Sequence, residues 1–297
     1  MSEFLHVTSI GESNAITSLE DNIKHFLDWS FLNIGGYINV TIPTSGINSV
    51  DYSKLQAVTD PSNTIKVWES TKKDWVYESG LSGQNIINVS GIYLNNNFLP
   101  APTGSGNYAY SINYPLGRVT FNKSVSPTSN VSLNYSYRYV QVYKSNEAIW
   151  WKEISNSAIV ANHRVQLPTI IVELIPRTVS VPRELGNKKN IITQDILLHV
   201  FTENPHQRNS LVDTLVLQKD NALQLYDVNK VVKNNVYSTN YKGEVNASGL
   251  NYDEITQNSD YKQNLAFITQ TYLSELNHLS SSLYNGVVRW SIEIFPY

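Results

Sequence analysis

The apolar positions between Asn190 and Lys219 follow first a strand pattern and then a helix pattern. In the range 191–201, β-branched and aromatic residues are frequent, and Ile196, Leu198 and Val200 fall on one face of an extended chain. This alternation predicts a β-strand with one face turned toward a core. A very short polar connection follows before the period changes.

The change of period at Asn204 and Pro205 predicts the start of a helix. An Asn side chain can accept a hydrogen bond from a backbone amide of the first turn, and Pro suits the first helical position because no amide hydrogen is needed there. Apolar residues then recur at helical spacing: Leu211, Val212, Leu215 and Val216. No catalytic residue types gather at this turn, so the unit indicates architecture rather than chemistry.

Residues 64–143 have the period of strands throughout. The clearest part is 131–139, where Tyr135, Tyr137 and Tyr139 alternate with Ser, Asn and Arg, so we expect one buried and one solvated face. We favour a core or intersubunit face for these tyrosines over a platform for sugar rings, because aromatic side chains dominate cores and interfaces. The other predicted strands are 65–69 and 74–78, as arms of one hairpin, 85–94, and 108–114 and 118–122, as arms of a second hairpin.

Mixed helix and strand patterns flank this region. Residues 13–29 carry an amphipathic helical stripe, and residues 147–154 predict a short helix or a bent strand. Further strands are predicted at 37–42, 169–174, 265–276 and 288–294. We therefore predict an α+β protein with a mixed domain of residues 1–50 and 144–297, in which helices pack on a sheet. An antiparallel β-sandwich or barrel at 51–143 interrupts this domain.

Two polar segments stand out within the later part of the chain. Residues 177–190 predict a loop or a protruding hairpin, and residues 220–262 are rich in Asn, Ser, Tyr and Gly with weak periodicity. The second segment is too long for an ordinary loop, so we predict an arm or an extended surface segment.

The composition favours contact surfaces over solvated helical faces. The chain has 297 residues, of which 41% are hydrophobic and only 16% are charged, and it contains 19 tyrosines and 6 tryptophans. Its net charge of -3 argues against general binding to nucleic acid or to an anionic membrane. No stretch approaches the roughly 20 apolar residues of a membrane-spanning helix, and residues 1–7 do not resemble a signal peptide. We expect synthesis in a cytoplasm and no membrane partner.

No arrangement of residues predicts catalysis, a cofactor or a metal. The chain has no cysteine and six histidines, none of which stands at a zinc-protease or His-x-x-x-His spacing. The glycines of 104–106 resemble a dinucleotide-binding motif, but a strand pattern follows where a helix is required. We therefore predict that the protein is not an enzyme.

Three stretches carry a family resemblance: residues 28–35 (DWSFLNIG), residues 113–121 (NYPLGRVTF) and residues 194–217. They resemble virion structural proteins of tailed bacteriophages, including those that infect cyanobacteria. The order of elements over 1–42 and 165–297 is similar to that of the tail-terminator and tail-completion group at the head–tail joint. The chain departs from the smaller members of that group in its β insertion and in residues 220–262.

The resemblance implies a structural subunit in the virion that forms a ring, sixfold in this group, between the tail tube and the neck. The implied partners are further copies of the chain, the tail tube or sheath protein and the neck connector, with genome DNA passing through the lumen. In a ring each subunit uses two different surfaces. We expect the two polar segments to make these contacts, through Arg177, Arg183, Lys188, Lys189, Tyr237, Tyr241 and Tyr252. The alternative function is that of a baseplate- or fibre-associated protein whose β domain binds a host-surface glycan.

Overall fold

The computed structural model describes residues 15–43, 51–58, 65–78, 81, 84–100, 108–148, 165–183, 190–280 and 282–296. Its elements in chain order are α1 (Leu19–Asn33), β1 (Tyr37–Val40), β2 (Gln56–Val58), β3 (Val67–Glu69), β4 (Gly91–Leu94), β5 (Asn97–Pro100), β6 (Tyr110–Asn113), β7 (Arg118–Phe121), β8 (Val131–Ser132), β9 (Tyr135–Arg138), β10 (Gln141–Lys144), β11 (Thr169–Pro182), β12 (Asn190–Thr202), α2 (Pro205–Val216), β13 (Ala222–Tyr226), α3 (Val228–Lys233), α4 (Tyr252–Gln257), β14 (Lys262–Ser280) and β15 (Leu283–Pro296). The predicted α+β class is confirmed, and sheet predominates over helix.

The chain forms two compact units. The first comprises residues 1–30, 140–235 and 252–297, and the second comprises residues 31–139 and 236–251. The predicted division placed the β insertion at 51–143. The second unit begins earlier, within α1, and it also includes a segment from much later in the chain.

The first unit is built on a sheet of six strands within the described part of the chain, in the order β10-β11-β12-β15-β14-β13. The pair β10–β11 is parallel and all the other pairs are antiparallel. One face is fully buried along the central strands, with Ile196, Leu198, Trp290 and Ile292 wholly inaccessible to solvent. This is the face that sequence periodicity assigned to the core.

Helix α1 contacts both edges of this sheet. The side-chain amide of Asn22 donates to the backbone oxygen of Tyr226 in β13 (3.2 Å) and accepts from its backbone nitrogen (2.9 Å). At the opposite edge, Lys144 of β10 donates to Asp21 (2.7 Å). A flat sheet of six strands would separate its edges by roughly 24 Å, so contacts from consecutive residues of one helix require the sheet to curl. The sheet accordingly has the form of a half-barrel.

The predicted strand–helix unit is confirmed. Asn204 lies in an extended conformation, its side-chain oxygen accepts from the backbone nitrogen of His206 (2.8 Å), and Pro205 is the first residue of α2. The helix buries Leu211, Val212 and Leu215 against the sheet. The indole of Trp290 donates to the backbone oxygen of Leu215 (3.0 Å), which ties the helix to β15.

The second unit contains three small antiparallel sheets within its described residues, in the orders β1-β9, β2-β3-β7-β6 and β5-β4-β8. They share one apolar core that includes Trp68, Trp75, Ile92, Phe121 and Tyr135. The predicted hairpin of 108–114 and 118–122 is confirmed as β6 and β7, and Gly117 in their turn has a φ of +62°. The unit is rich in sheet, as predicted.

The predicted hairpin of 65–69 and 74–78 is wrong. Strand β3 pairs with β2 and β7 instead. Residues 74–78 do not form a named strand: Trp75 and Val76 are both fully buried, and their backbone nitrogens donate to Tyr114 and Ser136 respectively. A crossing segment between two sheets can bury consecutive side chains, which an alternating strand with one wet face cannot do.

Residues 85–94 form a strand only at β4, and the chain then reverses at Asn95 and Asn96. Both residues have positive φ angles, +50° and +67°, which suit a two-residue hairpin turn into β5. Strand β5 (Asn97–Pro100) was not predicted from the sequence.

The prediction of one buried and one solvated face for 131–139 is also wrong. The four residues of β9 are all buried. The Ser136 hydroxyl donates to Asn39 (2.5 Å) and accepts from the backbone nitrogen of Ile87 (2.7 Å), while Arg138 forms ion pairs with Asp74 and Glu78. Polar side chains can be buried when they are hydrogen-bonded in this way. The core position predicted for Tyr135 and Tyr137 is confirmed.

Several boundaries shift for identifiable reasons. Helix α1 extends beyond the predicted 13–29 to Asn33, because Phe31 and Leu32 continue its buried stripe. Residues 13–14 lie outside the described residues, and 15–18 form a turn. The segment 177–190 is a hairpin in its described part, since β11 runs to Pro182 and pairs with the start of β12. Most of 147–154 lies outside the described residues.

The segment 220–262 is not simply an arm. It contains β13, α3 and α4, and it buries Leu225, Tyr226, Val231 and Ile255. These elements have five or six residues each, so they span too few periods to produce a recognisable pattern. The predicted strands 265–276 and 288–294 are confirmed as parts of β14 and β15, which are longer.

Candidate assembly surface

Strand β14 has a long edge that no strand of the described residues covers. Strand β13 pairs only with its first part, up to Phe267, and no described strand pairs with the outer edge of residues 272–280. All nine of these residues are exposed. We call this stretch the β14 free edge; at about 3.3 Å per residue it is roughly 30 Å long.

Large apolar side chains lie along the β14 free edge. They are exposed by between 42% and 49%: Tyr272, Leu273, Leu276 and Leu279. Edge strands of soluble proteins usually carry charges that prevent association. Glu275 is the one Asp, Glu, Lys or Arg residue in this stretch, so this edge lacks the ordinary protection.

Helix α2 holds the hairpin that carries the β14 free edge. Arg208 donates to the backbone oxygen of Asn277 (3.2 Å), and its guanidinium lies 5.8 Å from the ring centroid of Tyr284 in β15. The same ring stacks on His278 with centroids 4.6 Å apart. Val212 packs closely over Gly286, where a Cβ would lie 2.7 Å from Val212 Cγ2. These contacts attach the exposed β14–β15 hairpin to α2.

Strand β11 has a second edge, on the opposite side of the sheet, that is only partly covered within the described part of the chain. Strand β10 pairs with residues 169–172 only, and residues 176–182 are exposed without a described strand partner on their outer side. We call this stretch the β11 free edge. It carries Val179 and Val181, which are 44% and 45% exposed, and it is bracketed by Pro176 and Pro182. Because Pro has no backbone N–H, an added strand can accept hydrogen bonds only from residues between these two prolines.

An open, polar pocket of 370 Å³ lies on the face of the four strands between these edges. Its lining residues include Arg177, Asp195, Tyr272 and Arg289. The Arg289 guanidinium donates to the Asp195 carboxylate, which balances one positive charge in the pocket. Arg177 has no carboxylate partner among the described residues, so the β11 side of the pocket is positively charged.

The predicted contact residues occupy different places. Arg177 and Arg183 lie on and directly after the β11 free edge, and both are exposed. Lys188 and Lys189 lie outside the described residues. Tyr237 and Tyr241 belong to the second unit, where Tyr241 is 92% exposed.

Tyr252 is half-buried within the first unit. Its ring makes edge contacts with Phe26 and Tyr226, at centroid distances of 6.2 Å and 6.4 Å. Burial raises the pKa of the Tyr252 phenol, and the charge of Asp253 adds to this effect. Its role in this unit is to pack α4 against α1 and β13.

The apolar residues of the β14 free edge were missed as contact residues. The signal was present, because the apolar residues after Gln270 do not keep to alternate positions: Tyr272, Leu273, Leu276 and Leu279. Apolar side chains on both faces of a strand indicate that neither face is simply solvated. Strand register was needed to show that this stretch is also an edge.

Two observations bear on other classes of protein. Among the described residues, no group of three or more His, Asp or Glu side chains is placed to hold a metal ion. None of the helices in the described ranges is long and apolar enough to cross a membrane.

Comparison with known proteins gives no assignment. No protein-family model matches the chain, and no curated protein matches it.

Proposed function

We propose that this protein is a structural subunit of a tailed-bacteriophage virion. In this role it forms a ring at the head–tail interface, terminates the tail tube and joins it to the neck connector. The observation that carries the proposal is the concentration of exposed apolar side chains on two hairpins at opposite edges of one sheet. Two different adhesive surfaces on one subunit are what a ring requires.

The arrangement of the first unit supports the same proposal. Strands β11 and β12, the Asn-Pro-started helix α2 and the closing strands β14 and β15 follow one another in the order seen in the tail-terminator resemblance. The low charge content and the many tyrosines are typical of a protein that buries surface against partners. The partners in this role are further copies, the tail tube or sheath protein and the connector. Genome DNA passes through the lumen.

The mass of the purified protein in solution, with negative-stain images of the same sample, tests the proposal. We expect closed rings of one size, and we expect gold-labelled rings to bind one end of isolated tail tubes. Replacing Leu273, Leu276 and Leu279 together by Ser should abolish the rings, because it removes apolar surface from the hairpin. The matched control is Leu217→Ser, which changes a 78% exposed side chain at the end of α2 and should leave the rings intact. A protein that stays monomeric and does not bind the ends of tail tubes would contradict the proposal.

One observation favours the second candidate, glycan recognition by the second unit. Tyr241 is 92% exposed, and Lys242 lies 5.7 Å from its ring centroid. Exposed aromatic faces can stack on sugar rings. A glycan array probed with the whole protein and with Tyr241→Ala tests this candidate, which requires binding that is lost in the variant.

A further inference from the structure

We infer that the β14 free edge of one copy pairs with the β11 free edge of the next, so that the sheets of neighbouring subunits join into one continuous sheet. This inference rests on the proposed ring-forming function and names the interface through which the ring closes. The partner is a second copy of this chain. Four features of the described residues argue for it.

The strand directions allow the pairing. Strands β11, β12, β15 and β14 are successive neighbours, and each pair is antiparallel. After three antiparallel steps, β14 runs opposite to β11. A second copy placed beside β14 in the same orientation therefore presents its β11 antiparallel to β14, and the alternation continues across the boundary.

The two short outer strands leave complementary gaps. Strand β13 covers the first part of β14, and β10 covers the first part of β11. Thr178 of β11 pairs with Gln194 of β12, which pairs with Ile292 of β15, which in turn pairs with Ile268 of β14. Thr178 and Ile268 therefore lie at the same level of the sheet. The free edges are therefore staggered by roughly eight to ten residues, about 30 Å. When a neighbour is displaced along the strands by this stagger, its β11 free edge lies beside the β14 free edge. Strand β13 and the neighbour's β10 then lie beyond the paired stretch. A stagger between strands is what closed sheets require.

The side chains of the two edges are compatible. The β14 free edge carries Leu273, Leu276 and Leu279 with the carboxylate of Glu275, and the β11 free edge carries Val179 and Val181 with the guanidinium of Arg177. Pairing places apolar side chains beside apolar side chains and joins two edges that carry charges of opposite sign. Such cross-strand pairs stabilise antiparallel sheets.

The alternative of pairing like edges is less favourable. Two β11 free edges would bring the Arg177 and Arg183 residues of both copies together. Pairing of two β14 free edges would form a dimer about a two-fold axis and leave both β11 free edges uncovered. The unlike pairing uses both edges of every subunit without bringing like charges together.

Disulfide trapping tests the inference, and the natural chain has no cysteine that would interfere. One cysteine replaces Val179, Ser180 or Val181 on β11, and a second replaces Leu273, Leu276 or Leu279 on β14 of the same chain. These strands are separated by β12 and β15, or roughly 14 Å, so the two thiols of one chain cannot reach each other. The panel of combinations covers the possible registers.

We expect mild oxidation of at least one double variant to give a ladder of covalent multimers that collapses on reduction. The matched single-cysteine variants should remain monomeric under the same denaturing conditions. Efficient dimers of a single β14 variant would instead show pairing of like edges and overturn the inference.

The outcomes separate the inference from the proposed function. In one outcome the double variants form rings, seen by light scattering and negative stain, that yield no covalent ladder in any combination. That result would overturn the edge pairing, and the proposed ring-forming function would stand. Strictly monomeric protein, with no ladder and no binding to tail tubes, would overturn both.

Discussion

At the scale of single residues, Arg138 shows how burial and pairing depend on one another. Its side chain is only 6% exposed, and its guanidinium pairs with Asp74 and with Glu78, whose own side chain is 8% exposed. The guanidinium also lies 5.5 Å from the ring centroid of Tyr77. Removing one member of a buried ion pair leaves the other charge without compensation, which is costly in a poorly solvated position.

We predict that Arg138→Ala lowers the free energy of unfolding of the second unit by about 3–5 kcal/mol. The matched control is Arg118→Ala in the same unit, where Arg118 pairs with Glu69 at 2.8 Å but the side chains are 37% and 21% exposed. We expect a loss of no more than about 1 kcal/mol for this pair, because water and salt screen it. Urea unfolding followed by hydrogen exchange in residues 131–139 measures both. Equal losses would contradict this account.

At the scale of elements, α1 acts as a strut between the two edges of the curled sheet. Asn22 is 1% exposed and satisfies both backbone groups of Tyr226 at the edge of β13, as a neighbouring strand would. One turn of the same helix reaches β10 through Asp21, and Glu20 accepts from the hydroxyl of Ser145 (2.7 Å). The curl of the sheet therefore depends on polar contacts as well as on the buried stripe of the helix.

We predict that Asn22→Ala destabilises the first unit by about 1–3 kcal/mol, since it removes two hydrogen bonds from a buried strand edge. Lys24→Ala is the matched control on the same helix: its partner Asp28 lies 3.9 Å away and both side chains are partly exposed. The control should cost less than about 0.5 kcal/mol. Hydrogen exchange at residues 222–226 provides the readout. Protection retained in Asn22→Ala would show that α1 does not stabilise the edge of β13.

At the scale of the whole molecule, chain order and structural units do not coincide. Residues 236–251 leave the first unit and dock on the β6–β7 hairpin of the second, where the backbone nitrogen of Tyr114 donates to Gly243 (2.9 Å) and the amide of Asn113 donates to Lys242 (2.7 Å). The second unit is thus completed by residues that follow it by about a hundred positions. Contacts of such sequence separation form late and cost loop entropy.

We predict that Gly243→Ala weakens this docking. Gly243 has a φ of +74°, and an added Cβ would lie 2.7 Å from Asn113 Oδ1, an atom that already accepts from Leu116 (2.9 Å). Strain at φ and the loss of about one hydrogen bond should together cost about 2–3 kcal/mol.

The control for this docking variant is Gly35→Ala. Its φ is +86°, but the nearest atom to an added Cβ is 3.7 Å away, so strain at φ acts there without a clash. We expect faster hydrogen exchange in residues 110–121 for Gly243→Ala alone. The same increase in both variants would show that the docking contact contributes nothing.

Local patterns determined those features whose causes lie within a few residues. The Asn204–Pro205 helix start, the buried face of β12, the β6–β7 hairpin and the α+β class follow from periodicity, capping and turn chemistry. These preferences act between neighbours in the chain, so the sequence by itself reveals them. The aromatic residues at 135 and 137 were likewise expected on a core or intersubunit face, and they lie in the core of the second unit.

Tertiary structure alone decided which edges remain open and which polar residues are buried. Arg138 is buried because Asp74 and Glu78 arrive from sixty residues earlier, and β9 therefore has no wet face. The free edges of β11 and β14 exist because β10 and β13 stop short, which depends on pairing between strands far apart in the chain. Strand order and register are non-local properties, and no period along the sequence encodes them. The contact residues predicted from charge include Arg177 on one free edge, while the apolar residues of the other became visible only when the sheet was assembled.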